Sequence, residues 1–191
     1  MLKQEQILDI FYRTGALMEG HFRLTSGRHS DQYIQCARVL QHPDHTILLC
    51  REIVRDFLDQ DIEAVVGPAM GGIVLAYEAA RQLGARALFA ERENGVMTLR
   101  RGFSLDPGQK ALVLEDVITT GGSVMEVVQM LQKRGVQVVG IGCLVKRSKE
   151  ELDLGAPLRA LLTVEIKSYL PEECPLCREG VPLTKPGSRE V

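Results

Sequence analysis

Short, strongly apolar runs recur along the middle of the chain, separated by stretches in which apolar residues have helical spacing. The runs that predict buried strands lie at residues 64–66, 87–90, 111–114 and 136–145. Helical periodicity follows the first run through Leu83 and the third run through Leu131. Strands that alternate with helices predict an α/β fold, with a mostly parallel central sheet flanked by helices.

The two ends of the chain add smaller elements. Apolar spacing up to Leu17 predicts a short amphipathic helix that ends near Gly15. A further helix is expected at about residues 44–59, and an edge strand at residues 161–166. The polar, turn-rich segment at residues 20–35 fits either a surface hairpin or a hood that faces a substrate.

Residues 91–110 have no convincing helical pattern, and Asp106-Pro107-Gly108 marks a turn within them. A segment this long without regular packing is frequently a lid over a functional site. Its basic side chains are Arg92, Arg100 and Arg101, with neither lysine nor histidine before Lys110. Arginines suit a diphosphate, although each of them also fits a solvated surface charge.

Composition narrows the class of protein. A chain of 191 residues, 45% hydrophobic and 25% charged, predicts one globular domain. The net charge of −2 indicates no general attraction to nucleic acid or anionic membranes, and no apolar run approaches the length of a membrane span. Five cysteines without framework spacing, and no signal-peptide core at the N-terminus, predict a cytoplasmic protein.

Residues 111–123 carry the main chemical pattern. An apolar strand is followed by Glu115 and Asp116, then by a turn of hydroxyl residues and glycines, then by a helix. Backbone N–H groups at a helix N-terminus suit a phosphate monoester, and Gly121 and Gly122 are expected to leave no β-carbon that would hold the anion off. The carboxylates suit sugar hydroxyls or a hydrated divalent cation. Together these features indicate a ribose 5-phosphate.

A second glycine-rich turn follows the strand at residues 64–66. Residues 67–72 have the sequence Gly-Pro-Ala-Met-Gly-Gly and precede a helix. A turn of this kind between a strand and a helix predicts another anion-binding loop.

Two segments resemble a known family. Residues 113–123, Val-Leu-Glu-Asp-Val-Ile-Thr-Thr-Gly-Gly-Ser, resemble the phosphoribosyl-diphosphate (PRPP) signature of type I phosphoribosyltransferases. Residues 24–30, Leu-Thr-Ser-Gly-Arg-His-Ser, resemble the N-terminal element of orotate phosphoribosyltransferases. The resemblance implies the type I phosphoribosyltransferase fold, with residues 1–40 as the hood, 60–150 as the PRPP-binding core and 168–191 as a tail. It also implies transfer of phosphoribose from PRPP to orotate in pyrimidine biosynthesis.

The resemblance also assigns roles to residues. Glu115 and Asp116 are the implied catalytic pair, near which Mg²⁺ would be held through PRPP and water rather than by direct ligation. The implied PRPP-binding residues are Glu115, Asp116, Val117, Ile118, Thr119, Thr120, Gly121, Gly122, Ser123, Ala69, Met70, Gly71, Gly72, Arg92, Arg100 and Arg101. The implied orotate-binding residues are Thr119, Arg147, Ser26, Gly27 and Arg28, with Arg147 pairing with the carboxylate. A homodimer is implied as well.

The chain departs from the family pattern in two loops. Many relatives have a lysine where this chain has Gly71, which leaves backbone N–H groups as the donors there. The family's mobile loop usually bears lysine and histidine, whereas residues 91–110 offer arginines. Two alternatives stay open: a transferase that acts on a purine, and a non-enzymatic, PRPP-sensing regulator that binds nucleic acid.

The tail contains Cys174-Pro175-Leu176-Cys177. One such pair supplies two of the four ligands of a zinc ion, and no second pair exists in the chain. Packing of the tail is therefore expected, with a metal shared between two subunits as the alternative. Cys36, Cys50 and Cys143 are expected to be packing residues.

Overall fold

The computed structural model describes residues 2–147 and 149–186. The strands are β1 (Leu17–Arg23), β2 (His29–Ile34), β3 (Ala64–Pro68), β4 (Arg86–Glu93), β5 (Val96–Leu99), β6 (Lys110–Ile118), β7 (Gln137–Lys146) and β8 (Leu158–Thr163). The α-helices are α1 (Gln4–Arg13), α2 (Ala37–Leu40), α3 (Pro43–Val54), α4 (Gly71–Leu83), α5 (Gly122–Lys133) and α6 (Pro175–Arg178). Short 3₁₀ helices cover Arg55–Phe57 and Pro171–Glu173.

Six strands form the central sheet in the order β5-β4-β3-β6-β7-β8. All neighbouring strands are parallel except β4 and β5, which are antiparallel. The mostly parallel α/β sheet is therefore confirmed. Because the carboxyl ends of β3, β6 and β7 lie at one edge, the segments that follow these three strands meet there.

The central strand β6 is buried on both faces, as is expected for a parallel sheet covered by helices. Leu112 and Leu114 belong to a core cluster that includes side chains of α3 and α4. Ala111 and Val113 belong to a second cluster that includes side chains of α5. The alternation of side chains along the strand thus anchors helices to both faces of the sheet.

Several predicted boundaries were wrong. Leu17 begins β1 rather than lying on the first helix, and α3 ends at Val54, where a 3₁₀ turn replaces the expected last helical turn. The edge strand β8 covers Leu158–Thr163 instead of residues 161–166. Strand β6 continues to Ile118, which pairs with Lys146 of β7. The acidic pair therefore lies inside the strand and does not follow it.

The predicted irregular segment at residues 91–110 contains a β-hairpin. In this hairpin, Ala90 of β4 pairs with Leu99 of β5 and Glu93 pairs with Val96. Asn94 and Gly95 form the turn between the two strands. Both turn residues have positive φ, 51° and 82°, the conformation that a tight hairpin turn requires and that Asn-Gly favours. The Asn-Gly pair is the sequence signal for this hairpin, and hydrophobic periodicity alone does not reveal it.

The segment predicted as either a surface hairpin or a hood is a hairpin that packs on the tail. Strands β1 and β2 pair antiparallel, and residues 24–28 form the turn, with hydrogen bonds from Leu24 N–H to Arg28 O and from Gly27 N–H to Leu24 O. The tail adds bridges from Thr184 to Phe22 and from Tyr169 to His29. We call β1, β2 and their turn the N-terminal hairpin.

Candidate active site

The turn between β6 and α5, residues 119–123, forms the floor of a cavity of about 290 Å³. We call this turn the phosphate cradle. The cavity is lined by residues 117–124 together with Arg92, Glu115 and Glu126. Helix α5 begins at Gly122, so its first backbone N–H groups have no partner within the helix and point into this space. The cradle is therefore suited to an anion.

The two glycines of the cradle differ in what a side chain at their positions would meet. Gly121 has φ of +79°, and a β-carbon there would overlap the side chain of Leu154 in the core. A β-carbon at Gly122 would meet nothing closer than Thr120 Oγ1, at 3.9 Å. The prediction that both glycines keep β-carbons away from the anion is thus wrong for Gly121, which is required by the turn and by the core.

The acidic pair lies beside the cavity, and of its two carboxylates Glu115 is the one in the lining. Glu115 Oε1 accepts a hydrogen bond of 3.0 Å from the backbone N–H of Asp116. Burial, followed by the charge of Asp116, raises the pKa of Glu115 to about 9. Asp116 Oδ1 accepts a hydrogen bond of 2.8 Å from the backbone N–H of Val117.

The second glycine-rich loop, residues 67–72, meets the acidic pair directly. A β-carbon at Gly71 would overlap the carboxylate of Asp116, and one at Gly67 would overlap the backbone of Gly72. The loop also contains a cis peptide bond between Ala69 and Met70, and Met70 is 83% exposed. Asp116 therefore lies between this loop and the cradle, at the edge of the sheet where both loops meet.

The three arginines of the predicted lid are engaged in ion pairs. Arg92 donates two hydrogen bonds to Glu126 of α5, at 2.9 and 3.1 Å, at the rim of the cavity. Arg100 pairs with Glu93 at 3.1 Å. Arg101 pairs with Glu91 at 3.1 Å and lies over the ring of Phe89. Of the three, the structure brings only Arg92 to the cavity.

Arg147 follows β7 at the same edge of the sheet. Its backbone N–H donates to Ile118 O at 2.8 Å, which holds it beside the start of the cradle. Its Nε is buried and has no hydrogen-bond partner among the described residues. Burial lowers the pKa of Arg147, and the nearby Tyr33 of β2 opposes that effect. A half-buried guanidinium whose Nε has no partner among the described residues is suited to receive an anionic group.

The predicted orotate contacts of the N-terminal hairpin lie apart from the cavity. Ser26 is exposed and Gly27 is half-buried. Arg28 is held by the tail, because its guanidinium donates to Ser168 Oγ at 2.9 Å and to Ser168 O at 2.6 Å. The described residues that line the cavity include neither this turn nor Arg147.

A cluster that the sequence did not reveal joins the N-terminal hairpin to the tail. His21 of β1 and His29 of β2 meet Cys174 and Cys177, with the four ligand atoms within 4.8 Å of one another. The available signal was a pair of histidines eight residues apart and a pair of cysteines about 150 residues later. Cys36, Cys50 and Cys143 are buried, as expected.

The chain is similar to known proteins along its whole length. Residues 37–170 match the family described as phosphoribosyl transferase domain. The chain is 60% identical to the orotate phosphoribosyltransferase of Pelotomaculum thermopropionicum, over 100% of both chains. It is 57% identical to that of Desulforamulus reducens, again over 100% of both chains.

Solved structures resemble the fold. The orotate phosphoribosyltransferase of Aeropyrum pernix has a TM-score of 0.66 and 26% identity, and covers 83% of this chain and 94% of its own. The adenine phosphoribosyltransferase of Rhodothermus marinus also has a TM-score of 0.66, with 22% identity over 84% of this chain and 99% of its own. The fold alone therefore does not select the base. Among the described residues, no helix is long and apolar enough to cross a membrane.

Proposed function

Because this chain belongs to the phosphoribosyltransferase family, and within it to the orotate phosphoribosyltransferases, we propose that it transfers the 5-phosphoribosyl group of PRPP to orotate. The products are orotidine 5′-monophosphate and pyrophosphate, and the reaction belongs to pyrimidine biosynthesis. The observation that carries the proposal is one cavity that combines a helix N-terminus with a half-buried carboxylate, next to a second carboxylate. The helix N-terminus suits the phosphate of a ribose 5-phosphate, and the carboxylates suit the diol at its other end.

The phosphate cradle would receive the 5′-phosphate. Its backbone N–H groups and the hydroxyls of Thr119, Thr120 and Ser123 are the available donors. Gly122 leaves the space above the start of α5 open. Arg92 is close enough to the cavity to contact the ligand if it exchanges its ion pair with Glu126.

Glu115 and Asp116 would hold the ribose. Their oxygens can accept hydrogen bonds from the 2- and 3-hydroxyl groups, and this orients the anomeric carbon toward the base. The negative charge of Asp116 would also stabilise positive charge that develops at that carbon, and so would that of Glu115 once a bound cation keeps it ionised. In the reaction the bond from C1 to the diphosphate oxygen breaks, and its electron pair leaves with the pyrophosphate. N1 of orotate forms the new bond, and the proton that it carried passes to water or to the departing pyrophosphate.

The diphosphate would lie toward residues 69–72, on the far side of Asp116 from the cradle. A β-carbon at Gly71 would overlap the carboxylate of Asp116, so at this position the loop presents backbone groups rather than a side chain. Backbone N–H groups facing the ribose would be available to the diphosphate, which supports this arrangement. Arg100 and Arg101 would contribute to diphosphate binding only after leaving Glu93 and Glu91.

The acidic pair also suits the Mg²⁺ that the family implies. Carboxylate oxygens are the ligands that Mg²⁺ prefers, and it usually retains several waters and binds substrate phosphates. The pKa of Glu115 is raised because desolvation and the charge of Asp116 disfavour the ionised carboxylate. A cation bound beside the pair would offset both effects and favour ionisation. When bound, Mg²⁺ would supply neutralisation of the diphosphate. Glu115 and Asp116 would orient it through water.

Arg147 would bind the carboxylate of orotate. Its buried, unpartnered Nε at the end of β7 supports this role. Thr119 of the cradle would contribute to the base site. Ser26 and Gly27 would contribute only if their turn, which Arg28 ties to Ser168, moves toward the cavity. A purine has no carboxylate to offer this guanidinium, so the orotate reaction fits the site better.

We also propose a cytoplasmic homodimer. The free cysteines suit a reducing compartment. An exposed apolar groove on α3 and α4, lined by Ile47, Val74 and Tyr77 among others, suits a second copy of the chain. Light scattering of the wild type should give the mass of two chains, and Tyr77→Glu should give one. A monomeric wild type would reject the dimer without affecting the proposed reaction.

The direct test is orotate consumption, followed by absorbance, with PRPP and Mg²⁺. Parallel reactions contain adenine or hypoxanthine instead of orotate. We expect turnover with orotate alone, and loss of turnover without PRPP. Consumption of a purine but not of orotate would identify the purine alternative, and binding of PRPP without any turnover would favour the regulator.

A further inference from the structure

The cluster between the N-terminal hairpin and the tail has the composition of a metal site. His21, His29 and Cys174 are buried, with relative exposures of 3%, 5% and 0%, while Cys177 is exposed. The four residues offer two imidazole nitrogens and two sulfurs, a set that selects zinc among the common divalent ions. The catalytic site described above uses none of them.

The spacing of the ligand atoms matches a tetrahedron. His21 Nε2 lies 3.1 Å from His29 Nδ1. Cys177 Sγ lies 3.7 Å from His21 Nε2 and 3.2 Å from His29 Nδ1, and Cys174 Sγ lies 3.4 Å from His21 Nε2. Bonds of about 2.05 Å to nitrogen and about 2.3 Å to sulfur give tetrahedral edges of about 3.3 Å between nitrogens and about 3.5 Å between nitrogen and sulfur.

A hydrogen bond from His21 to a backbone carbonyl selects the ring tautomer that a zinc ligand needs. His21 Nδ1 lies 2.7 Å from the carbonyl oxygen of Val181, which can only accept, so Nδ1 carries the proton. Nε2 is then deprotonated, and its lone pair is directed at the other three ligands. A histidine whose second nitrogen donates to a carbonyl is the usual arrangement at zinc sites.

We propose that His21, His29, Cys174 and Cys177 bind one structural zinc ion within a single chain. Four protein ligands close the coordination sphere, so the ion would have no open position for catalysis. Its role is to fasten the tail to the N-terminal hairpin. Backbone bonds from Thr184 N–H to His21 O and from Tyr169 N–H to His29 O already place the tail beside the two histidines. The turn at residues 25–28 lies between the two histidine ligands, so the ion would also fix its position.

The test is the metal content of the full-length protein, freed of any histidine tag and kept reduced with a phosphine. Cys177→Ser removes one ligand at an exposed position and should leave the fold intact. We expect about one zinc per wild-type chain and less than about 0.2 per Cys177→Ser chain, since three ligands bind far more weakly than four. His42→Asn and Cys50→Ala, which change a histidine and a cysteine outside the cluster, should retain about one zinc.

Two further measurements keep the result decisive. Cobalt added to the metal-free protein should give the intense visible bands of a tetrahedral site with thiolate ligands, and Cys177→Ser should lose most of the thiolate band. A chelator should lower the Tm of the wild type by about 5 °C or more and leave that of Cys177→Ser nearly unchanged. These readouts do not depend on orotate turnover.

Three results would overturn the proposal. One is a reduced wild type that takes up no zinc at equimolar concentration. Another is equal zinc binding by the wild type and by Cys177→Ser. The third is a disulfide between Cys174 and Cys177 in freshly purified protein that contains no metal, seen as two missing thiols in a thiol count.

Discussion

A β-carbon added at Gly71, the first residue of α4, would overlap the carboxylate of Asp116 on β6. The two residues are 45 positions apart in the sequence. Gly71 belongs to the loop predicted to bind the diphosphate of PRPP, and Asp116 precedes the cradle predicted to bind its 5′-phosphate. The close approach of this carboxylate leaves no room for a side chain at position 71. It also fixes the position of the carboxylate that we assign to the ribose.

Gly71→Ala should displace the Asp116 carboxylate and lower kcat at least tenfold, or about 1.4 kcal/mol. Asp116→Asn should also lower kcat at least tenfold while PRPP binding changes little, because the charge that Asp116 opposes develops in the transition state. The asparagine oxygen can still accept the Val117 N–H, so the turn should survive. Steady-state kinetics and PRPP titration measure both effects.

The double variant tests whether Gly71 acts through Asp116. In the Asp116→Asn background, Gly71→Ala should lower kcat by a much smaller factor than it does in the wild-type background. Asp59→Asn, an exposed carboxylate in a turn, is the control and should keep normal turnover. Turnover of Asp116→Asn within about threefold of the wild type would rule out its assigned role.

Glu115→Gln should change the pH dependence of stability. The pKa of Glu115 is about 9 in the folded protein against an ordinary value of 4.5, so the folded state holds a proton that the unfolded state releases. Stability of the ligand-free wild type should therefore fall as the pH rises from about 5 to 9. In Glu115→Gln this fall should be smaller, with a Tm at pH 8 about 3 °C or more above that of the wild type. Equal pH dependence of Tm in the two proteins from pH 5 to pH 9 would contradict the raised pKa of Glu115.

Gly121 and Gly122 should respond to substitution in different ways. Gly121→Ala should lower the free energy of unfolding by about 1–3 kcal/mol, because it puts a β-carbon at positive φ and against Leu154. Gly122→Val should cost little stability but weaken PRPP binding at least tenfold, because its side chain enters the open space of the cavity. Thermal unfolding and PRPP titration separate the two. Normal PRPP affinity in Gly122→Val would move the phosphate away from the cradle.

Arg147→Ala should raise the KM for orotate at least tenfold and leave PRPP binding nearly unchanged. Arg147→Lys should recover only part of the loss, since an ammonium cannot form the paired hydrogen bonds of a guanidinium. The control is Arg134→Ala, an exposed arginine that follows α5 at the opposite edge of the sheet. Normal orotate saturation with weakened PRPP binding would assign Arg147 to the other substrate.

Local patterns determined most of the fold. Buried strands such as β6 and β7 are continuous apolar runs, and α5 has the matching helical period, so the α/β class followed from the sequence. The boundaries were less accurate where pairing with a neighbour decides them. Strand β6 passes through Glu115 and Asp116 because β7 lies beside it as far as Lys146. No property of the two acids themselves indicates a strand.

The sequence by itself determined the phosphate cradle and the acidic pair, because their residues are contiguous and their chemistry depends on local order. Only the tertiary structure decided which residues from distant segments meet: Gly71 with Asp116, Arg92 with Glu126, and His21 and His29 with Cys174 and Cys177. The physical reason is that sheet order and strand register bring distant segments together. A short window of sequence contains the period of one element, but it contains neither the neighbour of that element nor the direction in which their side chains meet.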